Sequence, residues 1–142
     1  MLFPNKVKHR KWQTGRKNPK KLAKKVETRG AKVSFGSFGL KAESHGRITS
    51  NQIEAARKAI KRYVGKTGKV WIRIYPDRPI TKKPDQVKLG KGKGEPKYFV
   101  SEVFTGRVLF EVEAASDEIA KEALRKGGTK LPVKTKVIAK LI

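Results

Sequence analysis

The sequence predicts an α+β fold: a single domain, mainly antiparallel sheet with two helices, with a basic N-terminal extension and a long glycine/lysine-rich loop. Three observations predict it. Apolar residues recur at three- and four-residue spacing over 50–64 and again over 116–126, each time after a capping residue. Apolar and polar residues alternate over 69–75, 98–103, 107–112 and 131–141. Neither period is visible in 1–32 or in the loop 77–97, where lysine, arginine, glycine and proline dominate. The domain proper is therefore expected to span 33–142, which suits a chain of 142 residues.

The segment 6–32 carries Lys6, Lys8, Arg10, Lys11, Arg16 and further lysines and arginines, opposed only by Glu27. It is expected to be a disordered, solvated tail that a polyanion, RNA above all, orders on binding. Trp12 sits among these charges and is a candidate RNA contact. Segment 33–42 reads as a strand broken by glycines, with Phe35 and Phe38 expected in the core.

Thr49 and Gln52 have the spacing of a capping box, and Ile53, Ala56, Ile60, Tyr63 and Val64 form one apolar stripe that ends at Gly65. Lys58, Lys61 and Arg62 fall away from that stripe, with Arg57 at its border. In 69–75, Val70, Ile72 and Ile74 point one way and Trp71, Arg73 and Tyr75 the other. Pro76, Pro79 and Pro84 are then expected to hold the chain extended. The loop's centre is Gly90-Lys91-Gly92-Lys93-Gly94, flanked by Lys82, Lys83, Lys88 and Lys97. Its lysines repel one another unless an anion is present, and the strands on either side place it at a sheet end. Beyond it, 98–103 and 107–112 read as a hairpin turned at Thr105-Gly106. Ser116 caps the second helix, Asp117 and Glu118 suit its first turn, and Gly127-Gly128 are expected to stop it. A last strand is expected over 131–141. The acids of 98–124, among them Glu102, Glu111 and Glu122, are expected to face away from any phosphate.

Lysine and arginine number 36 against 12 acids, a formal charge of +24, which calls for a counter-charged partner. Nucleic acid leads, with an anionic membrane next. There is no cysteine, and His9 and His45 alone make a poor zinc site. Gly65-Lys66-Thr67 resembles the end of a P-loop, but Ile60 stands where its first glycine belongs. No spacing suggests a catalytic constellation or a cofactor, and no apolar run approaches a membrane span or a secretory signal.

The motifs GSFGLKA (36–42), GRIT with QIEAARKA (46–49 and 52–59), KVWIRIYPDRPITKKP (69–84) and LGKGKG (89–94), with MLFP at the start and LPVKT (131–135) near the end, together resemble large-subunit ribosomal protein sixteen of the bacterial type. The resemblance implies one α+β domain bound to large-subunit rRNA beside A-site tRNA, with P-site tRNA as a further candidate, among neighbouring ribosomal proteins and away from membranes. It implies a cytoplasmic ribosome and leaves an organellar one open. It makes Lys6, Lys8, Arg10, Lys11, Arg16, Arg57 and Lys58 rRNA contacts. It turns Lys82, Lys83, Lys88, Lys91 and Lys93 toward rRNA near the tRNA acceptor end. Lys88-Leu89 stands where the family commonly has Arg-Met, and Phe99 where it usually has Trp. The alternative is a non-ribosomal nucleic-acid-binding or RNA-chaperone protein.

Overall fold

A computed structural model describes residues 1–15, 18–84, 86, 90 and 92–141. The chain runs α1 (Pro19–Lys24), β1 (Phe38–Ala42), β2 (Gly46–Thr49), α2 (Ser50–Val64), β3 (Lys69–Ile72), β4 (Arg78–Lys82), β5 (Glu95–Val103), β6 (Val108–Glu113), α3 (Asp117–Gly128) and β7 (Thr135–Ala139). The strands form a four-stranded sheet, β3-β6-β1-β7, and a three-stranded sheet, β2-β5-β4, with every pairing between them antiparallel. The expected α+β class holds.

Helices α2 and α3 pack against each other and onto the four-stranded sheet. Leu40, Ile53, Ile60, Phe110 and Leu124 fill the space between them. The capping box forms as expected: the Thr49 hydroxyl accepts from Gln52 N, and the Gln52 side chain accepts from Thr49 N. Ile53, Ala56, Ile60 and Val64 are buried, but Tyr63 is exposed, with Lys126 Nζ 4.2 Å from its ring centroid. At about 100° per residue, Tyr63 lies roughly 60° from the centre of the stripe, which puts it at the edge.

Several expected boundaries move. The third helix, α1, lies in the extension, where Asn18 caps it and Pro19 takes its first position. Val26 then bridges in parallel to Thr105, and Gly30 O accepts from Val108 N at 2.8 Å. The later part of the extension is thus tied to the domain. Gly127 and Gly128 lie inside α3 rather than ending it. A Cβ on Gly127 would sit 2.4 Å from Ile60 Cγ1, so this glycine lets the two helices approach.

The expected hairpin over 98–112 is not one. Strand β5 pairs with β2 and β4, and β6 pairs with β1 and β3, so Thr105-Gly106 carries the chain from one sheet to the other. Residues 108–112 are all buried, as a central strand covered on both faces requires and a half-exposed hairpin arm does not. The proline lead after β3 is extended, as expected, and 78–82 within it forms a strand. Pro79 fits there because β4 is an edge strand, where a missing N–H leaves no neighbour unpaired. Strand β2, which the sequence had not suggested, buries Ile48 fully.

Phe38 is buried, whereas Phe35 is 57% exposed and lies outside the core. The Phe35 ring stacks on Trp71 at 6.2 Å and 20°, with the Arg73 guanidinium 5.1 Å from its centroid. Strand β1 begins only at Phe38, so the 33–37 segment is free to serve another purpose: its backbone N–H groups converge on Glu111. Ser34, Phe35 and Gly36 donate to Glu111 Oε1 at 2.8, 2.7 and 3.1 Å, and Arg73 pairs with Oε2. Burial pushes this carboxyl's pKa up, but Arg73 and the three N–H groups outweigh that and hold it below the ordinary value.

Candidate nucleic-acid interface

Strands β4 and β5 run antiparallel from Arg78↔Val100 to Lys82↔Glu95, with a register shift between Ile80 and Thr81. They form the stem of the glycine/lysine loop, so the strand base lies inside the 77–97 segment. Gly90 and Gly92 take φ of 111° and 88°, where a side chain would be strained. Lys83 Nζ donates back to Gly90 O.

The extension comes to this stem. Ser50 Oγ donates to Leu2 O at 2.7 Å, and Phe3 packs edge-on against Phe99 at 5.3 Å. Further along, Arg10 pairs with Glu95, Lys11 Nζ donates to Lys93 O at 2.9 Å, and Lys93 Nζ donates to Trp12 O. Segments more than 80 residues apart thereby place Arg10, Lys11, Lys83 and Lys93 on one surface.

Arg78 holds the underside of this arrangement. It is only 7% exposed, its guanidinium lies 5.6 Å from the Trp12 ring centroid, and Nη1 meets Glu102 Oε1 at 3.1 Å. Arg47 Nε reaches the same oxygen at 3.1 Å. Trp12 therefore has a partner within the protein. Glu102 is bound by two arginines and Glu111 is buried, so neither stands as a lone carboxylate on the surface.

Of the expected site residues, Lys6 and Lys8 are exposed between Phe3 and Arg10, Lys82 is exposed at the end of β4, and Lys83 is half-buried. Arg57 and Lys58 stand on α2, outside the contacts that join extension and stem. Arg57 donates to Glu54 Oε2 at 3.1 Å; this hydrogen bond raises the arginine's pKa and lowers that of the glutamate. Arg16, Lys88 and Lys91 lie outside the described residues. Sequence reasoning passed over Arg78 and Arg47 as positioning residues. Their signal was an arginine in each of two short strands flanking β5, which carries Glu102.

A groove of about 380 Å³ lies at the stem, lined by Lys82, Lys83, Pro84, Glu95, Pro96 and Lys97. Three lysines over one cavity suit a phosphate-bearing ligand better than an apolar one. Among the described residues, no three His, Cys, Asp or Glu side chains gather as they would for a metal, and no helix is long and apolar enough to cross a membrane.

Fold and surface together define a basic α+β protein that gathers cations from its N-terminal extension and its glycine/lysine loop onto one small sheet. The model of the family described as ribosomal protein L16p/L10e matches residues 4–138. A protein named large ribosomal subunit protein uL16, from Halorhodospira halophila (strain DSM 244 / SL1), is 49% identical over 142 residues, covering all of this chain and 99% of the relative. The chain belongs to the ribosomal protein L16p/L10e family. It is a structural constituent of the large subunit of the cytoplasmic ribosome, not an enzyme, and the resemblance carried by its motifs holds over nearly the whole chain.

Proposed function

We propose that the surface made by the extension and the β4–β5 stem binds large-subunit rRNA and helps shape the site that receives A-site tRNA, with P-site tRNA a further neighbour. Residues 1–32 act as the RNA-binding extension, and the loop 77–97 protrudes from the rRNA-binding domain 33–142. Lys6, Lys8, Arg10 and Lys11 neutralise rRNA phosphates together with Lys82, Lys83 and Lys93. Lys88 and Lys91 act with them toward the tRNA acceptor end. Arg57 and Lys58 on α2 supply a second, smaller rRNA contact. The work is electrostatic and geometric, with no bond made or broken.

The observation that carries this reading is the reciprocal tie between Lys11 and Lys93, each donating to backbone in the other's segment. It holds like charges side by side, an arrangement that self-repulsion opposes and a polyanion favours. If about six to ten phosphates are neutralised, affinity for an rRNA transcript falls by about 10³ to 10⁵ between about 50 and 200 mM salt. Affinity nearly independent of salt would overturn the reading. A non-ribosomal RNA chaperone would be scarce in purified large subunits, whereas this protein should be stoichiometric there.

A further inference from the structure

A second groove, of about 690 Å³, lies beside the cationic one and has a different lining: Phe3, Tyr98 and Phe99 with Leu2, Ser50 and Lys97 among others. Phe3 is 63% exposed and Tyr98 45% exposed, so aromatic surface stands open to solvent next to a dense field of positive charge. The two grooves adjoin each other. Lys97 lines both, and a third depression of about 210 Å³, lined by Val7, Arg10, Pro96 and Phe99, shares Phe99 with one and Pro96 with the other. Lys97 thus stands where the lysine-lined groove meets the one lined by Phe3 and Tyr98.

Double-stranded RNA offers phosphates and hydroxyls but keeps its base faces stacked. Single-stranded RNA offers phosphates and free base faces together, and cations interleaved with aromatic rings match that pair of features. A hydrophobic protein segment would match the aromatic groove but not the lysines that continue it. We infer that the Phe3–Tyr98 groove takes an unstacked base of a single-stranded rRNA segment whose backbone lies along the adjoining Lys82–Lys83–Lys97 groove. Tyr98 is the stacking platform, Phe3 closes one side, and Phe99 positions Phe3 through their edge-on contact. This inference rests on the RNA reading above and specifies the form of RNA at one place.

The test uses the full chain with two probes at fixed salt: a short single-stranded RNA oligomer and a blunt RNA duplex of equal charge. Tyr98→Ala should weaken single-strand binding about tenfold or more, Tyr98→Trp should restore it, and duplex binding should hold. An equal loss on both probes, or no loss on the single strand, would overturn the base site while leaving the RNA reading intact. Salt-independent binding of the wild-type chain to both probes would overturn the RNA reading itself. In assembled large subunits, a photoreactive benzophenone side chain at position 98 should crosslink to RNA. A crosslink to a neighbouring protein would hand the groove to that protein and sink the proposal.

Discussion

Two arginine–glutamate pairs, one at the four-stranded sheet and one joining the extension to the other sheet, serve opposite ends. Arg73–Glu111 is set in the four-stranded sheet, with the glutamate fully buried and three further backbone donors on it. Arg10–Glu95 spans the extension and the hairpin stem, with side chains 70% and 71% exposed. The first pair lets a charge live inside the fold by satisfying its lone pairs. The second leaves two charges in water, where their mutual attraction is weak and a phosphate can take the glutamate's place beside Arg10. The chemical groups are the same, and burial decides whether they build the domain or its interface.

The sharpest way to break that contrast is Glu111→Ala. It strands the N–H groups of Ser34, Phe35 and Gly36 and leaves Arg73 with only the Lys32 carbonyl to donate to, and it should destabilise the domain by about 3–5 kcal/mol in urea unfolding. Less than about 1 kcal/mol would mean the site is wetter than its burial implies. Glu95→Ala is the matched control and should barely move the same midpoint.

Next in size is the triple change Lys82→Ala, Lys83→Ala, Lys93→Ala. With three phosphate contacts gone, the slope of log affinity against log salt for a single-stranded RNA should shrink by about 2, because each contact contributes about 0.7. The unfolding midpoint should stay put. A lower midpoint with an unchanged slope would reverse the roles assigned to the two regions.

The legibility of the sequence follows the same division. Where one residue type has one physical use, pattern sufficed: Thr49 with Gln52 at a helix start, and Ser116 before Asp117 and Glu118. It misled where the deciding partner is far away in sequence. Thr105-Gly106 has hairpin composition, yet the neighbours of β6 are β1 and β3; the buried run Val108-Leu109-Phe110 was the better clue. Phe35 reads as core, but the backbone around it is drawn to Glu111, 76 positions on. Of the candidate interface, the charge clusters in the extension and in the loop were legible. Their joining was not, since it depends on Arg10, Lys11 and Trp12 meeting Glu95, Lys93 and Arg78. No local period encodes a contact between segments so far apart.

Acid should expose the buried pair more gently. The folded pKa of Glu111 lies below the ordinary 4.5, so its contribution is complete above that value and is lost as pH falls through the folded one. Unfolding midpoints taken at about pH 7, 4.5 and 3 should drop more steeply for the wild type than for Glu111→Gln, which has no carboxylate to protonate. Parallel drops would mean that other acids, such as the arginine-paired Glu54 and Glu122, carry the acid sensitivity.

The smallest effect is expected at the exposed pair, and its smallness is informative. A double-mutant cycle with Arg10→Ala and Glu95→Ala should give a coupling in unfolding free energy of no more than about 1 kcal/mol, falling with added salt. The pair orients the extension without holding it, so the single changes should act differently on RNA. Arg10→Ala removes a cation and should flatten the salt dependence of binding, whereas Glu95→Ala removes an anion from the same surface and should tighten binding at low salt. If both changes weaken binding equally, the ion pair is needed intact and the extension is a fixed part of the interface. If they move in opposite directions, the glutamate acts as a placeholder that phosphate displaces, and the exposed pair differs from Arg73–Glu111 in function as well as in burial.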